Sequence, residues 1–190
     1  MKPNIERPCV DEVKKYLKKW NEYEKYRCQE KSVVMVYQQY PKNTKIEEVL
    51  IKVGILNDFY STNIRDTFAV AQHIVAIGID KNLDKEDINI VDKIARVCIN
   101  GKNKRLYSFA TKYCSHHNPN FYPIYDSKVD KVLMYFKSQE EFAVFEKEDL
   151  RDYPSFRNIV LKFREHYKLE KYSLREQDYY LWLFGKEHFA

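Results

Sequence analysis

Glycine is scarce in this chain, with four among 190 residues. That disfavours tight hairpins and glycine-rich phosphate loops, and neither the P-loop pattern nor G-x-G-x-x-G occurs. A nucleoside-triphosphate or dinucleotide enzyme is therefore not expected. The four cysteines, Cys9, Cys28, Cys98 and Cys114, are scattered with no C-x-x-C pair. They form no zinc or iron–sulfur pattern and read as reduced thiols packed as small apolar side chains. No metal or organic cofactor is implied. There is also no apolar run of about 18 residues, and the opening MKPNIERPCVDE has no apolar signal-peptide core. The expectation is a cytoplasmic chain with no membrane partner.

Aromatic residues are abundant, at 15% with sixteen tyrosines. Tyrosine brings apolar area with a polar tip, useful at half-buried sites and on stacking surfaces. Thirty-three basic residues against 28 acidic ones give a net charge of +5, which permits a polyanionic partner without requiring one. The length suits a single domain over residues 1–190.

Helical periodicity dominates. Val10, Val13, Leu17 and Trp20 repeat at three- and four-residue spacing in a lysine-rich frame. KSVVMVYQQYP has a β-branched run, but is assigned to a helix ended by Pro41. Thr44 with Glu47, Ser138 with Glu141 and Ser173 with Glu176 have capping-box spacing. Ile64, Phe68, Ala71 and Val75 mark a helical face stopped by Gly78. DKNLDKED reads as a surface loop, and Ile90, Val91, Ile94 and Val97 as a helix closed by Gly101. Leu106 to Tyr113 begins a helix that must end before Asn118-Pro119. A helix starting near Ser127 and another through Phe156, Ile159, Val160 and Phe163 follow. The expected fold is all-α, a single compact multi-helix domain of eight or nine helices, with no sheet beyond a short pair.

Three features carry chemistry. VDEVKKYLKKW interleaves bases and aromatics but reads as the solvated face of a helix. In GKNKRLY, Lys102, Lys104 and Arg105 are placed at a helix start, where backbone N–H groups welcome a phosphate. The densest stretch is KYCSHHNPNFYPIYDSKVDKVL, residues 112–133. Adjacent His116 and His117 would point about 100° apart on a helix, so they read as helix-end residues facing the C-terminal dipole rather than as metal ligands. Asp126 stands at a helix start behind Pro119 and Pro123, beside Phe121, Tyr122 and Tyr125. It reads either as a helix cap or as a carboxylate held for reaction.

The order ILNDFYSTNIRDTFAVAQHI, then LYSFATKYC, then YPIYDSKVDKVL resembles the helix–hairpin–helix DNA glycosylase superfamily over about residues 50–136. On that resemblance YSTNI takes the place of an early polar turn, Lys112 falls on the helix of the hairpin region, and Asp126 takes the catalytic carboxylate position. It implies hydrolysis of an N-glycosidic bond in DNA or another nucleoside-containing substrate. Asp126 would stabilise the developing sugar cation and direct water. Tyr60, Tyr122 and Tyr125 would serve as pocket walls, and Lys102, Lys104 and Arg105 as phosphate contacts. The chain departs from the family in lacking a glycine–apolar–glycine hairpin turn and in the fourteen-residue spacing of Lys112 and Asp126. Both departures weigh against an imine-forming Lys112 and suggest a divergent relative. Two other readings stay open: a nucleic-acid-binding module without cleavage, and a protein-interaction surface in which Asp126 only caps its helix.

Overall fold

Ten α-helices, one 3-10 turn and a single two-stranded sheet build the chain in a computed structural model that describes residues 5–189. The fold is all-α, as the periodicity predicts. The helices are α1 (Val10–Glu22), α2 (Glu24–Gln39), α3 (Ile46–Phe59), α4 (Thr67–Ile77), α5 (Asp80–Asp84) and α6 (Ile90–Ala95). They continue as α7 (Tyr107–His117), α8 (Ser127–Glu140), α9 (Tyr153–His166) and α10 (Leu174–His188). Between α6 and α7 lie strands β1 (Arg96–Ile99) and β2 (Lys102–Arg105). No helix among the described residues is long and apolar enough to cross a membrane. The contacts divide the chain into two compact units, one made of the residues up to Arg27 and from Tyr125 on, the other of Cys28–Ile124.

The first unit packs α1, α8, α9 and α10 around aromatic rings. Phe136 of α8 meets Phe163, Tyr167 and Phe184 at centroid distances of 6.0, 5.8 and 5.6 Å. Tyr16 of α1 meets Tyr180 edge-on at 5.5 Å. Helix α10 approaches α8 so closely at Gly185 that a Cβ there would lie 2.8 Å from the Lys128 Cβ. The helix starts follow capping chemistry. Asp152 accepts from the Ser155 N–H at 3.1 Å, with Pro154 in the first turn of α9. Ser173 and Glu176 form the reciprocal capping box of α10.

The second unit packs α3 on α4 and α7, and α6 on α7. Val49, Val53 and Leu56, Val70, Ala71 and Ile74, and Phe109, Ala110 and Tyr113 supply its fully or almost fully buried faces. Asp66 caps α4 through the Ala69 N–H, and Gly78 closes it in the left-handed conformation.

Several local expectations are corrected. Thr44 caps nothing: α3 starts at Ile46 with Lys45 as its N-cap, and no side chain bonds there. Ser138 lies inside the last turn of α8, its hydroxyl donating to the Tyr135 carbonyl at 2.7 Å, and Glu141 closes that helix at φ 48°. Ser-x-x-Glu spacing occurs inside helices as well as at their starts, so spacing alone misleads. The face of α4 is shifted: Phe68 is 50% exposed, while Val70 and Ile74 are buried. DKNLDKED contains α5, which Leu83 pins into the core. Val97 is a strand residue, and Gly101 turns a hairpin instead of closing a helix. Asn100 and Gly101, at φ 51° and 73°, make the two-residue turn whose doubly positive φ suits a right-twisted hairpin. The cysteines are all free, but Cys9, Cys28 and Cys98 are exposed and only Cys114 is buried. Cys9 is instead the N-cap of α1, its Sγ accepting from the Glu12 N–H at 3.5 Å.

Candidate functional site

Asp126 is the N-cap of α8. Its backbone is extended at φ −142° and ψ 155°, and its Oδ1 accepts from the Lys128 N–H at 2.9 Å. Its carbonyl accepts from the Asp130 N–H, also at 2.9 Å. The side chain is half-buried and has a fixed direction. Beside it Tyr125 donates to Asp130 Oδ2 at 2.7 Å, and its ring meets Phe156 at 5.5 Å. Burial, reinforced by that hydrogen bond to Asp130, pushes the Tyr125 phenol up to about 12.

The second unit gathers a different set. Lys112, on the inner face of α7, is 2% exposed. Its Nζ donates to the Ser108 hydroxyl one turn earlier and lies 5.5 Å from the centroid of the Tyr60 ring. The Tyr60 hydroxyl donates to Glu30 Oε2 at 2.8 Å and lies 2.9 Å from His116 Nε2. With the phenol proton committed to the carboxylate, the network assigns the imidazole proton to Nε2, which donates to the phenol oxygen. Carboxylate, phenol and imidazole thus form a hydrogen-bonded chain able to pass a proton, with an ammonium over the central ring. Thr111 and Ser115, both buried, add hydroxyls to the same helix. Tyr60 is held by the polar turn after α3. There the Asn57 side chain accepts from the Ile64 N–H at 2.8 Å and from the Thr62 hydroxyl at 2.9 Å, and donates to the Ile64 carbonyl at 3.0 Å. Lys112 and Tyr60 are thus brought together as a pair, and Glu30, Ser108 and His116 join them although nothing in the sequence pattern singled them out for that role.

Tyr122 is fully buried and donates to the Asp87 carbonyl at 3.2 Å, a packing role in the second unit. Lys102, Lys104 and Arg105 lie on β2 and not at a helix start, so their N–H groups are not those of a helix N-terminus. All three are exposed. Register pairs Val97 with Lys104 and Ile99 with Lys102, placing both lysines on one face and Arg105 on the other. Arg105 is tied to Asp92 at 3.2 Å and lies over the Tyr107 ring at 4.4 Å. Burial opposes ionisation of Asp92, but hydrogen bonds from Arg96 and Arg105 outweigh it and hold the carboxyl below its ordinary value.

A second buried lysine has a structural task. Lys52, with no exposed surface, donates to the carbonyls of Tyr40 and Lys42 at 3.1 and 2.9 Å and to Asn43 Oδ1 at 2.6 Å. Asn43 also accepts from the Tyr113 hydroxyl and donates to Asp80 Oδ1 at 2.6 Å. Burial pulls the Lys52 ammonium down to about 8, against the attraction of Asp80 and Glu48. His117 packs beside this network, against the rings of Tyr37 and Tyr113 at 4.8 and 5.4 Å. Burial first, then Lys52 and Lys42, push it down to about 3, against Asp80. It is neutral at pH 7, so the expected helix-dipole role gives way to packing. Among the described residues no group of three or more His, Cys, Asp or Glu is placed to hold a metal ion.

Comparison with known proteins places these groups in context. Residues 12–121 match the HI_0787_N family model, described as an N-terminal domain. An uncharacterized protein of Haemophilus influenzae is 47% identical over 148 residues, covering 77% of this chain and 71% of that protein. No solved structure matches. The matched segment holds Glu30, Tyr60, Ser108, Lys112 and His116, the Lys52 network and the basic hairpin, and stops short of Asp126. The chain belongs to the HI_0787_N N-terminal-domain family.

Proposed function

We propose that this chain hydrolyses the N-glycosidic bond of a nucleobase in DNA or another nucleoside-containing substrate, as its resemblance to the helix–hairpin–helix glycosylases implies. The observation that carries the reading is the fixing of Asp126, a half-buried carboxylate aimed from the N-cap of a fourteen-residue helix. Departure of a base builds positive charge on the sugar, and a preorganised carboxylate stabilises that charge without reorganising. The same carboxylate orients the attacking water and takes its proton. Lys112 also fits the family's order, because α7 carries it and the next helix begins behind Asp126. Its ammonium is bonded to Ser108 and lies over Tyr60, which weighs against an imine-forming nucleophile.

The test is abasic-site formation on duplexes carrying damaged or mismatched bases. Asp126→Asn should lower base release by about a hundredfold or more while keeping the melting temperature, since asparagine is itself a good cap. If the wild type releases no base from any duplex while Asp126→Ala melts earlier and Asp126→Asn does not, Asp126 is a cap alone. A second reading, binding of nucleic acid without cleavage, is favoured by Lys102 and Lys104, which are exposed and make no ion pair among the described residues.

A further inference from the structure

The chain has two tryptophans, and both belong to one aromatic cluster in the first unit. Trp20 stacks on Tyr179 with centroids 4.0 Å apart and planes inclined by 10°. Next to that stack, three rings converge on a single cation. The Lys186 Nζ lies over the rings of Trp182 and Tyr23, 5.2 and 5.8 Å from their centroids, and 4.7 Å from the centroid of Tyr26, at that ring's hydroxyl edge. The Tyr26 and Trp182 planes are inclined by 79°, those of Tyr23 and Tyr26 by 57°. The rings therefore stand as walls around the ammonium and do not stack on one another. Lys186 follows Trp182 by one helical turn, and its Nζ also donates to the Tyr26 hydroxyl at 2.7 Å. Tyr23 is 45% exposed and Lys186 is exposed, so the walls open to solvent.

Converging π faces attract cations electrostatically, most strongly those that are weakly hydrated. A primary ammonium is strongly hydrated, and Lys186 makes up part of that cost through its bond to Tyr26. An alkylated ammonium has little water to lose and presents methyl groups to the Trp182 and Tyr23 rings and to the hydroxyl edge of Tyr26. Lys186 sits on a flexible, exposed stem, so it can swing into solvent. The nearest acid along α10, Glu187, is paired with Lys19 at 2.7 Å, so the rings supply the recognition.

We propose that Tyr23, Tyr26 and Trp182 form a binding site for an alkylated ammonium group, with Lys186 as the internal occupant that an arriving ligand displaces. Recognition by rings alone places the dissociation constant for a small ion in the range of about 1–10 mM.

Both tryptophans report on the cluster, so fluorescence titration with tetramethylammonium chloride, against sodium chloride at equal concentration, reads the site directly. Lys186→Ala should bind tetramethylammonium about tenfold more tightly than the wild type, because no occupant has to leave. Adding Tyr26→Leu to Lys186→Ala should abolish the saturable change while the dichroism spectrum stays helical. Two further arms identify the source of the group: choline, and a peptide carrying trimethyllysine beside its unmethylated twin. Binding by either supports the site and tells a free small molecule from a modified protein tail. The wild type is a second readout should Lys186→Ala fail to fold, since it must still bind, only more weakly. A tetramethylammonium response no different from that of sodium chloride in both proteins overturns the proposal.

Discussion

Lys52→Met tests the physics of the second unit most sharply. The ammonium has three donors and meets three acceptors, the carbonyls of Tyr40 and Lys42 and the Asn43 amide oxygen. Hydrogen bonds to a charged group contribute about 1.5–3 kcal/mol each, so the set is worth roughly 5–9 kcal/mol. Against this stands the cost of burying the charge. Burial holds the amine at about 8 against an ordinary 10.5, a penalty of roughly 3 kcal/mol. Methionine keeps most of the stem's packing and lifts the penalty, but orphans two carbonyls, while Asn43 keeps the Tyr113 hydroxyl. The net loss at pH 7 should be about 3 kcal/mol, or roughly 6–12 °C in melting temperature for a chain of this size. A pH signature accompanies it. Between pH 8 and 10.5 the unfolded lysine binds more proton than the native one, so wild-type stability rises through that window and the variant lacks the rise. The deficit should widen by up to about 3 kcal/mol. Thermal melts followed by dichroism from pH 7 to 10.5 measure both, and the tyrosine titrations common to the two proteins largely cancel. A variant as stable as wild type at pH 7 would refute the reasoning, because apolar replacement of buried charge is often neutral when its hydrogen bonds contribute little.

Two further outcomes are expected. His117 is held at about 3 where the unfolded chain titrates near 6.5, so the unfolded state binds the extra proton between those values. Stability should fall with acidification through that window, by at most about 4–5 kcal/mol; urea titrations of wild type and His117→Gln check it, and identical acid profiles would sink it. If the chain binds duplex DNA, Lys102→Gln with Lys104→Gln should flatten the slope of log affinity against log salt by about 0.9 per lysine. Arg105→Gln should change it less, since that guanidinium is paired with Asp92; an unchanged slope in the double lysine variant moves the contact elsewhere.

The helices were legible because their apolar spacing and their Asp and Ser caps are local. Of the caps read in the sequence, Asp126 and Ser173 hold, whereas Thr44 and Ser138, with the same spacing to a glutamate as Ser173, cap nothing. The hairpin was missed although its signal is just as local. Asn100-Gly101 is the dipeptide that a two-residue turn favours, and scarcity of glycine along the whole chain says nothing about one glycine in the right place. The two buried lysines were hidden by composition but not by register. Lys52 stands at the fourth position of the stripe Val49, Lys52, Val53, Leu56, and Lys112 likewise in Phe109, Lys112, Tyr113, His116. A lysine on an apolar stripe must either reach out along it or find partners inside, and only the folded chain shows which. The partners of Lys52 come from the loop before α3, those of Tyr60 from α2 and α7, and no spacing rule links them.

The extent of the family match separates the two halves of the proposed chemistry. The segment 12–121 holds the Glu30–Tyr60–His116 chain and Lys112 but not Asp126. A function belonging to that N-terminal domain as such would not include Asp126, whereas the buried proton chain and the ammonium above it lie within the matched segment. A function that depends on Asp126 would require the helix start at residues 126–128, beyond the matched segment. The capping bond makes these alternatives separable, because asparagine can accept from the Lys128 N–H and keep α8 while giving up the full charge. Replacing Tyr60 by phenylalanine removes the phenol that links Glu30 to His116 and leaves the ring under Lys112 in place. Loss of activity from Asp126→Asn alone assigns the chemistry to the carboxylate. Loss from Tyr60→Phe alone assigns it to the proton chain, and so to the segment that the family model matches.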